Sequence, residues 1–318
     1  MILGIPRGYF YYDYFLFVTR LFYNSGVKIV FGCENNENVL KKGEELAVDE
    51  ACIPVKLMAG QLYYLENHCD KIFLPRVMKD RSGRWVCPKL LGLPELMTKI
   101  VSYEKYLVTE PLYFNDRKSV AKRLWKACSN TGVKRAVFSE SFEAAYDHLS
   151  DVFEGKKHRF AQADWEYVPE LPGPDEIVLP NTRTVYLAGH CYKVYDKFIN
   201  MNIMQKLDEL GIEIVTEADV PHNNAEYCVN NSKLIKEPFW EAFVRIYGTA
   251  LHIQDKVDGI IYLSSFSCGL DAFIIDMLKS HITNIPIMVL KLDEHRGEEG
   301  YETRIEAFSD LLEKRRMS

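Results

Sequence analysis

Short apolar runs alternate with amphipathic helical patterns along most of the chain, and this alternation limits the fold more than any other feature. The runs MILGIP, VKIVFG and KIFLPRV are typical of buried strands. Helical patterns separate or follow them at residues 9–24, 36–47 and 53–67. Strands that alternate with helices build mostly parallel sheets with helices on both faces. The sequence therefore predicts an α/β fold.

The same alternation returns in the second half of the chain. Predicted strands TVYLAGH, IEIVTEA, GIIYLSS and PIMVLKL are separated by predicted helices, among them 196–210 and 271–281, and a last helix begins near residue 301. Between the halves, residues 116–163 have a helical pattern in two pieces, and the segment YVPELPGPDEIVLPNT has four prolines in 16 residues, which is typical of a linker.

The predicted architecture is therefore two Rossmann-like lobes with mostly parallel sheets, joined by a helical bridge. The first lobe covers residues 1–115, the bridge and Pro-rich linker cover 116–180, and the second lobe covers 181–318. A chain of 318 residues is long enough for two such cores.

Charge and hydropathy exclude several classes of partner. The net charge is −6 and the pI is about 5.8, which favours neither nucleic acid nor an anionic membrane surface. No uncharged run approaches the roughly 18 residues that a membrane span needs. Charged residues interrupt the aromatic N-terminal segment at Arg7, Asp13 and Arg20, so we do not expect it to be a signal peptide. We expect a cytoplasmic protein.

The cysteines are spaced too widely for the common local metal motifs. Eight are present, and no two of them form a CxxC pair. Zinc-ribbon, thioredoxin and ferredoxin spacings are therefore absent, and disulfides are not expected in the cytoplasm. Any metal ligands must come from distant parts of the chain.

Ligands of parallel α/β sheets bind beyond the carboxyl ends of the strands, so cysteines at those positions are the candidates. Four cysteines follow predicted strands: Cys33, Cys87, Cys191 and Cys268. Cys52 instead opens a helix, where free N–H groups and the helix dipole favour a thiolate. Cys52, Cys87 and Cys268 are the strongest candidates because Pro or Gly residues flank them, and strand-end thiolates suit iron–sulfur or zinc.

The alternative for each of these cysteines is a structural role, in which the thiol packs as a small apolar side chain. That is what we expect for Cys69, Cys128 and Cys228, which lie at a helix end, within an amphipathic helix and in a polar stretch. Cys52 as a covalent nucleophile has no local histidine motif to support it.

Six segments resemble, in order and over nearly the whole chain, the acyl-CoA dehydratase activase-related family. They are GIPRGYFYYDYF, AVDEACIPVKLMAGQL, IFLPRV with WVCPKLLGLPELM, AGHCYKVYDKFINMNI, SSFSCGLDAF and LDEHRGEEGYETRIEAF. This family is similar to the iron–sulfur subunits of 2-hydroxyacyl-CoA dehydratases and to double-cubane cluster proteins.

The resemblance implies a [4Fe–4S] cluster in the cleft between the lobes, held by Cys52, Cys87 and Cys268. Three thiolates would leave one iron open or bound by a non-cysteine ligand, as reductive chemistry at a cluster requires. A double-cubane [8Fe–9S] cluster would need more thiolates. Cys191 stands where the family has proline, so it is either a fourth ligand or a harmless replacement, and Cys33 has no clear family counterpart.

The resemblance also implies a partner. Some relatives are fused to ATPase domains of the actin/Hsp70-like type, whereas this chain has no Walker motif and no Gly-rich phosphate-binding helix start. We therefore expect no nucleotide in this chain and a separate ATP-dependent activase. The chain would act as a low-potential electron carrier or a reductase/dehydratase-like component, as a homodimer or paired with a paralogous subunit.

Two other functions stay open at this point: a cluster-free bilobal small-molecule-binding protein, and a regulatory or assembly partner of an activase. Whether the chain is an enzyme is equally open. Four further residues are candidates for cofactor binding: Lys56, His190, Arg7 and Arg76. The alternatives are an exposed helical lysine for Lys56, a loop cap for His190, and surface ion pairs for Arg7 and Arg76.

The segment DEHRGEEGYETR carries five acids and two glycines. These acids would position a partner or, less readily, bind a hard cation, although the spacing is not that of an EF-hand.

Overall fold

Each of two units is built around a four-stranded, fully parallel sheet, which confirms the predicted α/β fold. The structure is a computed structural model that describes residues 1–22, 25–98, 103–156, 182–232, 234, 236, 238–293 and 298–317. The first unit contains Met1–Glu166 and Phe239–Glu241. The second contains Tyr167–Pro238 and Ala242–Ser318.

The sheet of the first unit has the strand order β2-β1-β3-β5, and β4 pairs with β6 in a separate two-stranded sheet. Its elements are β1 (Ile2–Ile5), α1 (Phe10–Phe22), β2 (Lys28–Phe31), α2 (Glu37–Leu46), α3 (Ile53–Glu66), β3 (Lys71–Leu74), β4 (Val77–Lys79), α4 (Pro88–Leu91), α5 (Leu93–Met97), β5 (Tyr106–Val108), β6 (Leu112–Tyr113), α6 (Arg117–Cys128) and α7 (Arg135–Phe153).

Two apolar segments are each divided into two strands in the structure. The predicted strand KIFLPRV becomes β3 and β4 on either side of Pro75, and the segment KYLVTEPLYF becomes β5 and β6 on either side of Pro111. Proline has no N–H group to donate within a sheet, so it ends the pairing in the central sheet. The residues beyond each proline form the small sheet instead.

Aromatic packing and close helix contact hold the first unit together. Phe17 on α1 meets Phe142 on α7 edge-to-face, at 6.2 Å between ring centroids, so α7 packs within this unit. Helices α2 and α3 approach so closely that a Cβ added at Gly60 would lie 2.0 Å from the carbonyl oxygen of Val39. Because α2 covers it, α3 is buried along most of its length.

The sheet of the second unit has the strand order β10-β9-β7-β8. Its elements are β7 (Arg183–Ala188), α8 (Cys191–Val194), α9 (Ile203–Glu209), β8 (Ile212–Val215), α10 (His222–Asn230), α11 (Glu241–Ile253), β9 (Gly259–Ser265), α12 (Gly269–His281), β10 (Ile287–Leu292) and α13 (Glu298–Met317).

The helix predicted at 196–210 begins only at Ile203. Met201 and Asn202 have φ angles of 53° and 55°, in the left-handed region, which breaks a right-handed helix at that point. The last helix starts at Glu298, slightly before the predicted position near residue 301.

Both sheets have the same relative strand order, in which the first strand lies between the second and the third. The chain therefore crosses to opposite sides of β1 and of β7, and each sheet has a topological switch point beside its first strand, between β1 and β3 and between β7 and β9. In open parallel sheets such a point leaves a crevice at the carboxyl ends of the strands, which is where ligands bind.

The predicted Pro-rich linker lies almost wholly outside the described residues, and the predicted domain boundaries stay a prediction. Across the described parts of the chain, every helix is too short or too polar to traverse a lipid bilayer.

Candidate functional site

Polar side chains converge on Asp271 at the switch point of the second unit. Lys193 Nζ lies 2.5 Å from Oδ2 of Asp271, and the amide of Ser265 donates to the same oxygen at 2.9 Å. The hydroxyl of Tyr262 donates to Oδ1 at 3.0 Å. Tyr262 and Ser265 belong to β9, Lys193 belongs to the short α8 after β7, and Asp271 lies in the first turn of α12. The two central strands therefore bring these residues together.

Two potential metal ligands adjoin this carboxylate. Nε2 of His190 is 3.5 Å from Oδ1 of Asp271, and the amide of Asp271 donates to Sγ of Cys268 at 3.4 Å. One ligand atom from each of the three side chains lies within 4.8 Å of the other two. Among the residues that the structure describes, no other group of three His, Cys, Asp or Glu side chains meets this condition.

Charge compensation keeps Asp271 ionised although it is fully buried. Burial by itself raises the pKa of Asp271, but the positive charge of Lys193, the neighbouring His190 and the hydrogen bonds from Lys193 and Ser265 outweigh burial and lower the pKa overall. Burial and the Asp271 charge together raise the pKa of Tyr262 well above its ordinary value, so this hydroxyl stays protonated and donates. The centre is a fixed carboxylate between a buried cation and a buried phenol.

Cys268 is the residue immediately before α12, and its sulfur accepts a hydrogen bond from the first turn of that helix. It is only partly buried, unlike Asp271 and Lys193. The preceding residue, Ser267, has a φ of 62°. A positive φ costs energy at a residue other than glycine, and such strain is concentrated at functional sites.

In the first unit, Cys52 immediately precedes α3 and Pro54 lies in the first turn of that helix. The thiol is partly buried, and its Sγ is 3.8 Å from the hydroxyl of Tyr9. Tyr9 is 1% exposed and has a φ of 39°, another positive value at a residue other than glycine. The predicted helix start at this cysteine is confirmed.

Cys87 immediately precedes α4, with Pro88 as the first residue of the helix, and it is partly buried. All three predicted ligand cysteines thus lie directly before a helix, whereas the sequence had indicated this position only for Cys52. The structure brings Cys268 together with His190. Cys52 and Cys87 lie in the other unit and outside that group, and metal binding by the three cysteines stays a prediction.

The side chains of Lys56 and His190 are both buried. Lys56 is 4% exposed, so the interpretation as an exposed helical lysine is wrong. The reason is the close approach of α2, where a Cβ added at Gly43 would lie 1.8 Å from the Lys56 carbonyl oxygen. His190 is the residue before α8 and stacks on Tyr192 at 5.0 Å between ring centroids.

Arg7 and Arg76 follow the carboxyl ends of β1 and β3, and both take part in ion pairs. Arg7 lies 3.8 Å from Glu34, and Arg76 pairs with Glu95. These are the ion pairs that the sequence offered as the alternative to ligand binding. Binding of a cofactor by either arginine stays a prediction.

The other cysteines fall into two groups. Cys69 and Cys128 are buried, as predicted, and burial raises the pKa of Cys128 to about 12. Cys191 is also buried, as the first residue of α8. Cys33 and Cys228 are partly buried, and burial is the main cause that raises the pKa of both thiols.

Residues 294–297 of the acidic segment lie outside the described part of the chain, so the hard-cation interpretation stays a prediction.

Lys193, Tyr262 and Asp271 were missed as site residues. A signal for Asp271 was present, because an acid three residues after a residue that precedes a helix is a familiar capping pattern. Nothing local distinguishes Lys193 from a surface lysine, and Tyr262 lies within an apolar strand. Their role follows from long-range packing.

Comparison with known proteins places the chain in a family. The family described as "CoA enzyme activase uncharacterised domain" matches residues 2–220. The match contains Cys52, Cys87 and His190 and ends before Cys268. No curated protein matches the chain.

A solved structure, the C-terminal domain of glucosamine-fructose-6-phosphate aminotransferase from Francisella tularensis, aligns with 93% of this chain and 77% of that one. The sequence identity is 10% and the TM-score is 0.22, so this likeness carries no argument. The family match covers well over half of the chain and confirms the activase-related resemblance, and the protein belongs to the CoA enzyme activase uncharacterised domain family.

Proposed function

We propose that this chain is an iron–sulfur component of an acyl-CoA dehydratase-type system, with Cys52, Cys87 and Cys268 as cluster ligands. It serves as a low-potential electron carrier or as a reductase/dehydratase-like component. A separate ATP-dependent activase of the actin/Hsp70-like type charges it. Family membership supports the link to CoA enzymes and to an activase.

The observation that carries the proposal is the shared position of the three cysteines. Each immediately precedes a helix and is partly buried, in a thiol state free of disulfides. Partial exposure leaves each of these thiols accessible to incoming iron. Cys69 and Cys128, by contrast, are buried thiols with raised pKa values, which disfavours the ligating form.

Backbone strain gives independent support for two of the three positions. Tyr9, whose hydroxyl is 3.8 Å from Cys52, and Ser267, which precedes Cys268, both have positive φ angles. Neither is a glycine, so the surrounding structure must maintain both conformations at a cost of about 1–3 kcal/mol each.

The donor set fits the cofactor, because iron–sulfur clusters are bound by cysteine thiolates. When bound, such a cluster supplies one-electron transfer. The chain's own contribution is to provide cysteine ligands that lie directly before helices. His190 and Asp271, which lie in one group with Cys268, are non-cysteine donors on the described part of that site.

The test is the iron and acid-labile sulfide content of anaerobically purified and reconstituted protein. We expect about four irons per chain in the wild type, and loss of this iron in each of Cys52→Ser, Cys87→Ser and Cys268→Ser. Cys228→Ser is the matched control, because Cys228 is partly buried but does not precede a helix. A colourless reconstituted wild type would refute the proposal and favour a cluster-free small-molecule-binding protein.

The activase is tested separately. We expect the visible absorption of the cluster to bleach only when the activase, a strong reductant and ATP are all present. Bleaching at the same rate without ATP would contradict the role of the activase while leaving cluster binding intact.

A further inference from the structure

We propose that His190, Cys268 and Asp271 bind a single transition-metal ion in the second unit. This site goes beyond the proposed function, because it uses no residue of the first unit. It shares only Cys268 with the proposed cluster, so the ion and the cluster exclude each other at that thiol.

The spacing of the donors suits one ion. The three ligand atoms lie within 4.8 Å of one another. Four-coordinate zinc has ligands at 2.0–2.3 Å, which places ligand atoms roughly 3.3–3.8 Å apart. The His190 and Asp271 atoms are already 3.5 Å apart, so any longer pair in the group needs to close by at most about 1.5 Å when an ion binds.

Neighbouring side chains and a backbone amide orient the Asp271 carboxylate for metal binding. Lys193 and the amide of Ser265 contact Oδ2, whereas Oδ1 faces His190 and accepts from Tyr262. A carboxylate oxygen has two lone pairs, so Oδ1 can accept from Tyr262 and still bind an ion. Hydrogen-bonded neighbours that orient a ligating carboxylate are a general feature of protein metal sites.

The charges also allow a cation. Lys193 repels a metal ion, but its charge is matched by that of Asp271, to which it is bound. The hydrogen bond from the Asp271 amide to the Cys268 sulfur fixes the position of that sulfur beside the carboxylate.

The donor types select the class of metal. One nitrogen, one sulfur and one oxygen ligand suit zinc, cobalt or ferrous iron, whereas calcium and magnesium prefer oxygen ligands alone. Three protein ligands leave a fourth position for water or a substrate, which is the arrangement of catalytic rather than structural zinc sites.

Cobalt(II) is the probe, since its spectrum reports both thiolate ligation and four-coordinate geometry. The full chain, freed of iron and kept reduced, is titrated with Co²⁺. We expect one ion per chain, with a sulfur-to-cobalt charge-transfer band and intense visible bands. Cys268→Ser should abolish the charge-transfer band, and His190→Ala should weaken binding at least tenfold.

Three variants serve as controls. Cys52→Ser and Cys87→Ser should bind Co²⁺ as the wild type does, although they are expected to lose the iron–sulfur cluster. Cys228→Ser removes a different Cys–His contact in this unit, in which Sγ of Cys228 lies 3.8 Å from Nδ1 of His252, and this variant should also leave Co²⁺ binding unchanged.

The outcomes separate the two proposals. Absence of Co²⁺ binding in folded wild type, or binding that survives in both Cys268→Ser and His190→Ala, overturns the metal site whatever the cluster analysis gives. Normal Co²⁺ binding by a protein that forms no cluster overturns the proposed function alone. Circular dichroism of each variant confirms that it is folded, and Cys268 and His190 were chosen because substituting them leaves the Lys193–Asp271 pair intact.

Discussion

Lys193 and Asp271 form an ion pair in which neither side chain is exposed to solvent. The pair joins the short helix after β7 to the first turn of α12, and so connects the two central strands of the second unit at their carboxyl ends. A buried pair contributes little net stability, because both charges were removed from water, but each partner depends on the other.

Removing one partner of the Lys193–Asp271 pair should therefore lower the stability of the fold. We expect Lys193→Met to lower the free energy of unfolding by about 3–5 kcal/mol, because it leaves the Asp271 carboxylate buried without its cation. Urea denaturation measures this change. The double variant Lys193→Met with Asp271→Leu should recover much of the loss, and a double variant as unstable as the single one would contradict this account.

The matched control for that variant is Lys42→Met. Lys42 also pairs with a carboxylate, Glu45, at 2.7 Å, but the lysine side chain is 32% exposed and the pair is screened by water. We expect little change in the unfolding curve.

The pH dependence of stability should report Asp271. Its pKa in the folded protein is lowered from the ordinary value of 3.8, so the unfolded chain takes up the proton first as the pH falls. The contribution of the carboxylate is present above pH 3.8 and is lost as the pH falls through the lower folded pKa. The difference in unfolding free energy between wild type and Asp271→Asn should shrink as the pH decreases from about 5 to 3. A constant difference over this range would be inconsistent with a lowered pKa.

The close contact between α2 and α3 leaves no room for a side chain at Gly60, so a substitution there should destabilise the fold. A Cβ there would lie 2.0 Å from the backbone oxygen of Val39, which cannot move as a side chain can. We expect Gly60→Ala to cost about 3 kcal/mol despite the better helix propensity of alanine. Thermal or urea denaturation gives the value.

Gly300→Ala is the matched control for this contact. Gly300 also lies within a helix, α13, but within the described part of the chain no atom outside that helix lies within 4 Å of an added Cβ. This substitution should be neutral or stabilise the protein by up to about 1 kcal/mol. Equal changes in stability for Gly60→Ala and Gly300→Ala would show that the contact between α2 and α3 is not the reason why position 60 requires glycine.

Cys128 should be the slowest thiol to react. It is 0% exposed, and burial raises its pKa to about 12, so both access and the thiolate fraction are minimal. Mass spectrometry after treatment of folded, reduced protein free of cluster and metal with iodoacetamide at pH 8 should find Cys52 and Cys268 modified, because both are partly buried. Cys128 should be modified only in denaturant. Native labelling of Cys128 at a comparable rate would contradict its placement.

Much of the secondary structure could be predicted because its causes are local. The strands before and after α1 follow from short apolar runs, and the break between α6 and α7 follows from the segment that contains Gly132, whose φ is 85°. The division of two strands at Pro75 and Pro111 could also have been predicted from the sequence, since proline cannot donate a hydrogen bond within a sheet. The left-handed conformations of Met201 and Asn202 could not be predicted, because neither residue type requires a positive φ.

The candidate site was predictable only in part. His190 and Cys268 were recognised because each follows a strand, and ligands of parallel sheets bind at strand ends. Their mutual proximity depends on β7 and β9 being neighbours, which is a property of the strand order and not of any local pattern. The burial of Lys56 depends in the same way on the helix that covers it.

By itself, the sequence determined the alternation of strands and helices, the helix start at Cys52 and the family, since periodicity, turn chemistry and motif order are all contained in short segments. Only the tertiary structure decided that Lys193 is fully buried, that its partner is Asp271, and that this pair adjoins His190 and Cys268. The physical reason is that desolvation and charge pairing depend on which residues are neighbours in space. For Lys193 and Asp271 those neighbours are 78 positions apart in the chain.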